Sequence, residues 1–230
     1  MPTFYLIELF SGTGSFGKAA SRVVQKLGYK PQVISVDSDP KCNATFCEDI
    51  MTWSYKADLL PILEAMRPRD ILWVHASPPC TQYSMSNTQG VRRLEEADAI
   101  VLKTLRILKF LKPTYWTLEN PVGLLQERPF MQKLNKHMNV TSYCKFGTRF
   151  RKRTVFWSNV PDLNLPICEL GSYCKAKETF GFHEMRAQRG GKRPSHLAAS
   201  DNYVYPTLDM LHTIPSRLTK HIISAALVIS

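Results

Sequence analysis

The stretch Tyr5-Leu-Ile-Glu-Leu-Phe10-Ser-Gly-Thr-Gly-Ser-Phe-Gly17 decides the fold. A short apolar run ends in glycines spaced Gly12-x-Gly14-x-x-Gly17. Residues 18–27 continue with apolar side chains at Ala19, Val23, Val24 and Leu27, the spacing of a helix that Gly28 stops. Strand, tight turn and helix in that order put the turn at a strand's carboxyl end, where doubly wound folds bind nucleotide-like ligands. Asp37 closes the next strand, 32–36, where an acid would accept bonds from ribose hydroxyls. The pattern fits NAD and S-adenosylmethionine equally, and a plain tight turn as well.

Further strands are expected at 70–74, 115–118 and 154–157, and helices at 59–66, 94–111 and 216–229. In the longest helix the apolar positions are 97, 101, 105, 108 and 111. Strands alternating with helices up to about residue 160 indicate an α/β doubly wound fold with a mostly parallel, Rossmann-like sheet. Residues 158–206 break that rhythm with proline, glycine and basic side chains. The expected organisation is a catalytic and cofactor-binding domain over 1–157, a short basic segment over 158–206, and a C-terminal helix over 207–230 that returns to the first domain.

The 230 residues carry 30 Lys and Arg against 19 Asp and Glu, a net charge of +11, with 44% hydrophobic residues. That composition is globular rather than disordered. No run reaches the roughly 18 apolar residues of a membrane span, and the first residues lack the pattern of a secretory signal, so an intracellular protein is expected. Residues 141–200 hold 11 basic and 4 acidic side chains, an excess that attracts phosphate and points to nucleic acid as partner.

Six cysteines in such a chain are expected to be reduced. Cys168, Cys174 and His183, with Cys144 or His196, could gather around zinc. The C-x5-C spacing is looser than that of structural zinc sites, so buried, inert thiols are the better reading and no metal ligand is assigned.

Two strand-end motifs choose between the cofactors. Ser77-Pro-Pro-Cys80-Thr-Gln-Tyr-Ser84 puts a cysteine on a stiff loop after one strand, and Leu118-Glu119-Asn120-Pro121 puts a carboxylate after the next. In this order, behind Phe10-Ser-Gly12-Thr-Gly14, Asp37 and Asp49-Ile50, and ahead of Arg149-Phe-Arg151-Lys-Arg153, they resemble the cytosine-carbon-5 DNA methyltransferase family. The tail Ile214-Pro215-Ser-Arg-Leu218 resembles the family's last motif more weakly.

The resemblance implies methyl transfer from S-adenosylmethionine to carbon 5 of a cytosine in DNA. Cys80 would add at ring carbon 6, because carbon 5 is a poor nucleophile until a thiolate turns the ring into an enamine. Glu119 would hold ring nitrogen 3, and Arg151 with Arg153 would orient the base and stabilise developing charge. Phe10, Gly12 and Gly14 would surround the methionine part of the cofactor. Asp37 would hold the ribose and Asp49 the adenine amino group, with Ile50 beside the ring. A base inside a duplex cannot reach such a pocket, so the target must be flipped out or single-stranded. Trp73 and Trp116 read as core, Tyr83 as a loop aromatic within reach of the base, and His75 as a strand-end residue the chemistry does not need.

The chain also departs from the family. Asp37 replaces the usual Glu, Thr81 follows Pro79-Cys80 with Gln82 one place late, Pro121 follows Glu119-Asn120, and Arg149 stands where the family has Gln. The family's large target-recognition domain has no counterpart beyond the short basic segment, so specificity is read by that segment, relaxed, or supplied by a partner protein. The same chemistry on RNA, a catalytically silent nucleic-acid-binding regulator, and an NAD-dependent oxidoreductase are the competing readings. The last gives Cys80 and Glu119 nothing to do.

Overall fold

The computed structural model describes residues 1–85, 87, 91–169, 174, 175, 183 and 207–227. Seven strands form one sheet: β1 (Thr3–Leu9), β2 (Lys30–Asp37), β3 (Phe46–Cys47), β4 (Ile71–Ala76), β5 (Tyr115–Pro121), β6 (Met138–Ser142) and β7 (Arg153–Ser158). Their order is β3-β2-β1-β4-β5-β7-β6, and β7 alone runs antiparallel to its neighbours. From β1 the chain winds outward through β2 and β3, then crosses to β4 and β5 on the other side. The switch point therefore lies between β1 and β4, and the crevice above their carboxyl ends is where such sheets bind ligands. This is the Rossmann-like architecture expected from the alternation of elements.

All seven residues of β1 are buried, as a central strand covered on both faces must be. On one face, α1 (Ser15–Lys26) and α5 (Ser216–Leu227) pack over Phe4, Leu6, Trp73 and Phe156. On the other, α2 (Tyr55–Ala65) and α3 (Leu94–Leu111) cover Tyr5, Ile7, Leu9, Val36 and Val74. The remaining helix, α4 (Leu208–His212), is a short turn capped by the Thr207 hydroxyl, which accepts from Met210 N at 3.2 Å.

The helix after the glycine turn starts at Ser15, three residues earlier than its apolar spacing suggests, because Gly14 at φ 64° serves as its N-cap. The buried stripe of α3 is Ala97, Val101, Thr104, Ile107 and Leu111, so Thr104 and Ile107 replace the expected positions 105 and 108. A buried Thr fits because its hydroxyl donates to Ile100 O at 3.0 Å within the helix. Strands β3 and β6 have no clear sequence signal. Among the described residues, no helix is long and apolar enough to cross a membrane.

Candidate active site

A cleft of about 290 Å³ opens above the switch point, lined among others by Phe10, Gly12, Asp37, Cys80, Glu119 and Lys152. Its floor is the glycine turn. Phe10, Gly12 and Gly14 all have positive φ (58°, 47° and 64°), so three left-handed residues fold the chain back on itself. Asp37 fixes this turn to the end of β2. Its Oδ2 accepts from Gly12 N at 2.8 Å, and its Oδ1 accepts from Asp39 N at 2.9 Å.

The wall opposite carries Cys80. The Cys80 carbonyl accepts from both Tyr83 N (3.0 Å) and Ser84 N (2.8 Å), which coils the loop into one helical turn. This loop is bound twice to the one that follows β5. Asn120 Nδ2 donates to Pro78 O at 2.9 Å, and Leu124 N donates to Tyr83 O at 3.0 Å. At Gly123 the loops run so close that a Cβ would lie 2.4 Å from Tyr83 O. Within the Cys80 loop itself, Arg92 donates to the carbonyls of Gln82, Ser84 (3.0 Å) and Asn87 (2.7 Å).

Glu119 is buried at the end of β5 and held from two sides. Tyr143 Oη donates to its Oε1 at 3.1 Å, and Lys152 Nζ lies 3.6 Å from the same oxygen. Burial, then the carboxylate, pushes the Tyr143 phenol well above its ordinary range, so it stays a donor. Burial also raises the Cys80 thiol above its ordinary value, Glu119 adds to that, and Lys152 pulls it back. Lys152 Nζ also donates to Leu211 O at 2.9 Å, which ties the C-terminal segment to the cleft. Thiol, carboxylate and ammonium group thus line a single cleft.

Of the residues named from sequence, Phe10, Gly12, Asp37, Cys80 and Glu119 line this cleft. Gly14 caps α1 beside it. Asp49 is exposed in a turn, where its Oδ1 accepts from Met51 N at 2.9 Å, and Ile50 is buried in the core beside Val36. Arg153 is exposed, and strand alternation puts it on the side of Val155 and Trp157, away from Glu119. Arg151 is half-buried, and its Nε has no hydrogen-bond partner among the described residues. Neither arginine lines the cleft, whereas Lys152 between them does.

Tyr83 is not a surface aromatic. It is fully buried, and its hydroxyl donates to Asp98 Oδ1 at 2.9 Å. Asp98 in turn pairs with Arg128. Trp73 is fully buried and Trp116 half-buried, as core residues. His75 stacks on Phe16 at 3.8 Å, with its ring nitrogens bonded to Thr117 (2.8 Å) and Ser77 (3.1 Å). Burial pulls its pKa down to about 3, so it is a neutral wall of the cleft.

Sequence reasoning missed Lys152, Tyr143 and Glu8, and it quoted Ile214 as part of the tail motif without giving it a place in the site. Ile214 N donates to Ser15 Oγ at 3.0 Å, which brings the tail onto the glycine turn. Glu8, in β1 beneath that turn, accepts from Gly17 N at 3.2 Å, and burial pushes its carboxyl up to about 7.

A probable DNA (cytosine-5)-methyltransferase of Frog virus 3 (isolate Goorha) is 28% identical over 211 residues, 85% of this chain and 86% of that protein. The solved Entamoeba histolytica methyltransferase EhMeth matches with a TM-score of 0.50 at 19% identity. That match covers 68% of this chain and 53% of the other, so this chain spans about half the solved one, and the likeness is one of fold. The family model for C-5 cytosine-specific DNA methylase matches residues 4–145, which contain the glycine turn, the Cys80 loop and Glu119. The chain belongs to the C-5 cytosine-specific DNA methylase family.

Proposed function

We propose that this protein transfers a methyl group from S-adenosylmethionine to carbon 5 of cytosine in DNA through a Cys80 adduct at ring carbon 6. One observation carries the reading: Cys80 and Glu119 line the same cleft as the glycine turn and Asp37. An oxidoreductase would need the turn and the acid alone.

The cleft residues fit the donor. Gly12 has no atom within 4 Å of where a Cβ would project, so a ligand can lie directly against the backbone. A sulfonium cation is complementary to the Asp37 carboxylate on the cleft wall. When bound, the cofactor supplies a methyl group made electrophilic by that sulfonium. Phe10, Gly12 and Gly14 would hold its methionine part, Asp37 the ribose, and Asp49 the adenine amino group, with Ile50 behind the ring.

On the substrate side, the Cys80 thiol gives its proton to solvent and its sulfur bonds to carbon 6; the carbon 5–carbon 6 double bond opens into an enamine between carbons 4 and 5, and the displaced electron pair settles on nitrogen 3. A proton shared between Glu119 and nitrogen 3 meets that charge, and Tyr143 with Lys152 keeps the carboxyl in place. Lys152 stands beside that carboxyl, where the resemblance would have put Arg151 and Arg153, neither of which lines the cleft. Once carbon 5 carries its methyl group, a water molecule takes the carbon-5 proton, the freed pair re-forms the carbon 5–carbon 6 double bond, and the carbon 6–sulfur bond breaks to release the Cys80 thiolate. The target must enter flipped or single-stranded. The basic segment 158–206 holds the phosphates, with or without a specificity partner, and the enzyme works where the cell keeps its DNA.

The test is incorporation of labelled methyl from S-adenosylmethionine into duplex DNA, single-stranded DNA and tRNA. Incorporation into duplex DNA that Cys80→Ala abolishes is expected. Incorporation into tRNA alone would replace DNA by RNA as substrate, and wild-type turnover by Cys80→Ala would end the thiol mechanism.

A further inference from the structure

Next to Tyr143 in the chain, Cys144 is one of four potential metal ligands that converge. Cys144 sits in the turn after β6. Cys168, Cys174 and His183 belong to the chain beyond β7. Their ligand atoms all lie within 4.8 Å of one another; the three thiols are buried and the imidazole is half-buried. His183 Nε2 is 3.6 Å from Cys168 Sγ and 3.6 Å from Cys174 Sγ.

We propose that Cys144, Cys168, Cys174 and His183 bind one structural zinc ion that pins the start of the basic segment to the catalytic domain. The spacing carries the argument. In a tetrahedral site with Zn–S near ~2.3 Å and Zn–N near ~2.1 Å, sulfur and nitrogen stand about 3.6 Å apart and two sulfurs about 3.8 Å. The sulfur–nitrogen distances already have that edge length. A single linear hydrogen bond would favour one sulfur, whereas Nε2 is equidistant from two, as ligands of one ion are. Among the described residues, the three thiols form a buried cluster of their own, and the His183 imidazole joins it.

The surroundings fix the ligands as a metal site requires. Cys168 N donates to Ser142 Oγ at 3.1 Å, and Pro166 O accepts from Thr141 Oγ1 at 2.8 Å, so the chain before Cys168 is bonded to the end of β6. Three thiolates and one imidazole suit zinc rather than a hard cation, and four protein ligands leave no open position, so the ion is structural. Its binding displaces three thiol protons to solvent. The segment also has reason to need a staple: residues 158–206 are too few to bury a core of their own. Because Cys144 follows Tyr143 directly, the same ion steadies the turn that presents Tyr143 to Glu119.

The test reads metal and thiols, so it stands apart from the methyltransferase reading. The full chain, expressed with zinc and purified without chelator, should hold about one zinc per chain by elemental analysis. Mass-mapped alkylation should label Cys42 and Cys47 in the native protein while sparing Cys144, Cys168 and Cys174 until the metal is stripped. Cys174→Ser and His183→Ala should each lose the zinc, and Cys42→Ser should keep it. Should those two variants fail to fold, wild-type chain loaded with Co²⁺ must show thiolate-to-cobalt charge transfer and tetrahedral ligand-field bands. Folded chain that retains no zinc and shows no such bands overturns the site, as does a disulfide within the trio.

Discussion

Asn120 Nδ2 donates to Pro78 O at 2.9 Å, and this bond ties the loop that carries Cys80 to the strand end that carries Glu119. In the proposed reaction both groups meet one pyrimidine ring, so their separation has to be held to a fraction of an ångström. Asn120→Ala removes the donor. It should lower kcat by about tenfold to a hundredfold while the Kd for S-adenosylmethionine stays within about twofold, because the cofactor wall is untouched. Single-turnover methylation with cofactor titration measures both. An unchanged kcat would show that the loops hold their spacing without this bond.

Gly123 is the second point of contact between the loops. Its Cα approaches Tyr83 O so closely that a Cβ would lie 2.4 Å from that oxygen, and the oxygen belongs to backbone that cannot swing aside. Gly123→Ala must push the Cys80 loop away. The expected result is a kcat loss of at least about tenfold, with a thermal midpoint close to wild type because the sheet core is not involved. Leu124 N donates to Tyr83 O across the same point, so slower amide exchange at Leu124 in wild type than in the variant would report the same displacement.

The cleft residues that were legible in the sequence sit in strand-end motifs. Gly12, Asp37, Cys80 and Glu119 each follow an apolar run, and the parallel order of those runs brings their ends together whatever the details of packing. Lys152 was not legible. It lies between two arginines in a basic run, and only the antiparallel pairing of β7 with β5 turns its side chain toward Glu119 and that of Arg153 away. Tyr83 looked like a loop aromatic, since nothing local shows that Asp98 on α3 will receive its hydroxyl. β6, Met-Asn-Val-Thr-Ser, has neither an apolar run nor clean alternation, and its burial arises from β7 beside it. Cys144 lies 24 positions before Cys168, so no spacing rule links them.

Cys80, Glu119 and Lys152 make a charge arrangement whose pH dependence separates reactivity from catalysis. Burial and the Glu119 carboxylate raise the thiol, and Lys152 lowers it. Alkylation of Cys80 by iodoacetamide should therefore keep accelerating as pH rises past the ordinary thiol value. Lys152→Met removes the cation and should slow alkylation about tenfold near pH 8. Glu119→Gln removes the negative charge and should quicken alkylation, yet methyl transfer should fall by about a hundredfold or more, since the group that holds nitrogen 3 is altered. Peptide mapping isolates Cys80 from the exposed Cys47. Parallel losses of alkylation and methylation in Glu119→Gln would reduce Glu119 to a tuner of the thiol.

Glu8 should write its own signature into the stability of the fold. Burial raises its carboxyl from 4.5 to about 7, against the opposing pull of the Gly17 and Phe16 amides and Lys18. Below 4.5 the side chain is protonated in both folded and unfolded chains, and the stabilisation from the folded chain's tighter proton is fully present. As pH rises the unfolded chain releases its proton first, and that stabilisation disappears as pH passes through about 7. At about 1.4 kcal/mol per unit of pKa the loss is on the order of 3 kcal/mol. Glu8→Gln keeps the shape and an oxygen for Gly17 N but cannot ionise. Its urea-unfolding free energy should stay flatter than that of wild type between about pH 5 and pH 8 by roughly that amount. At the upper end Glu8→Gln should be the more stable chain, because wild type then buries a carboxylate between β1 and the glycine turn. Parallel curves for the two proteins would mean that Glu8 is ionised in the fold from the start.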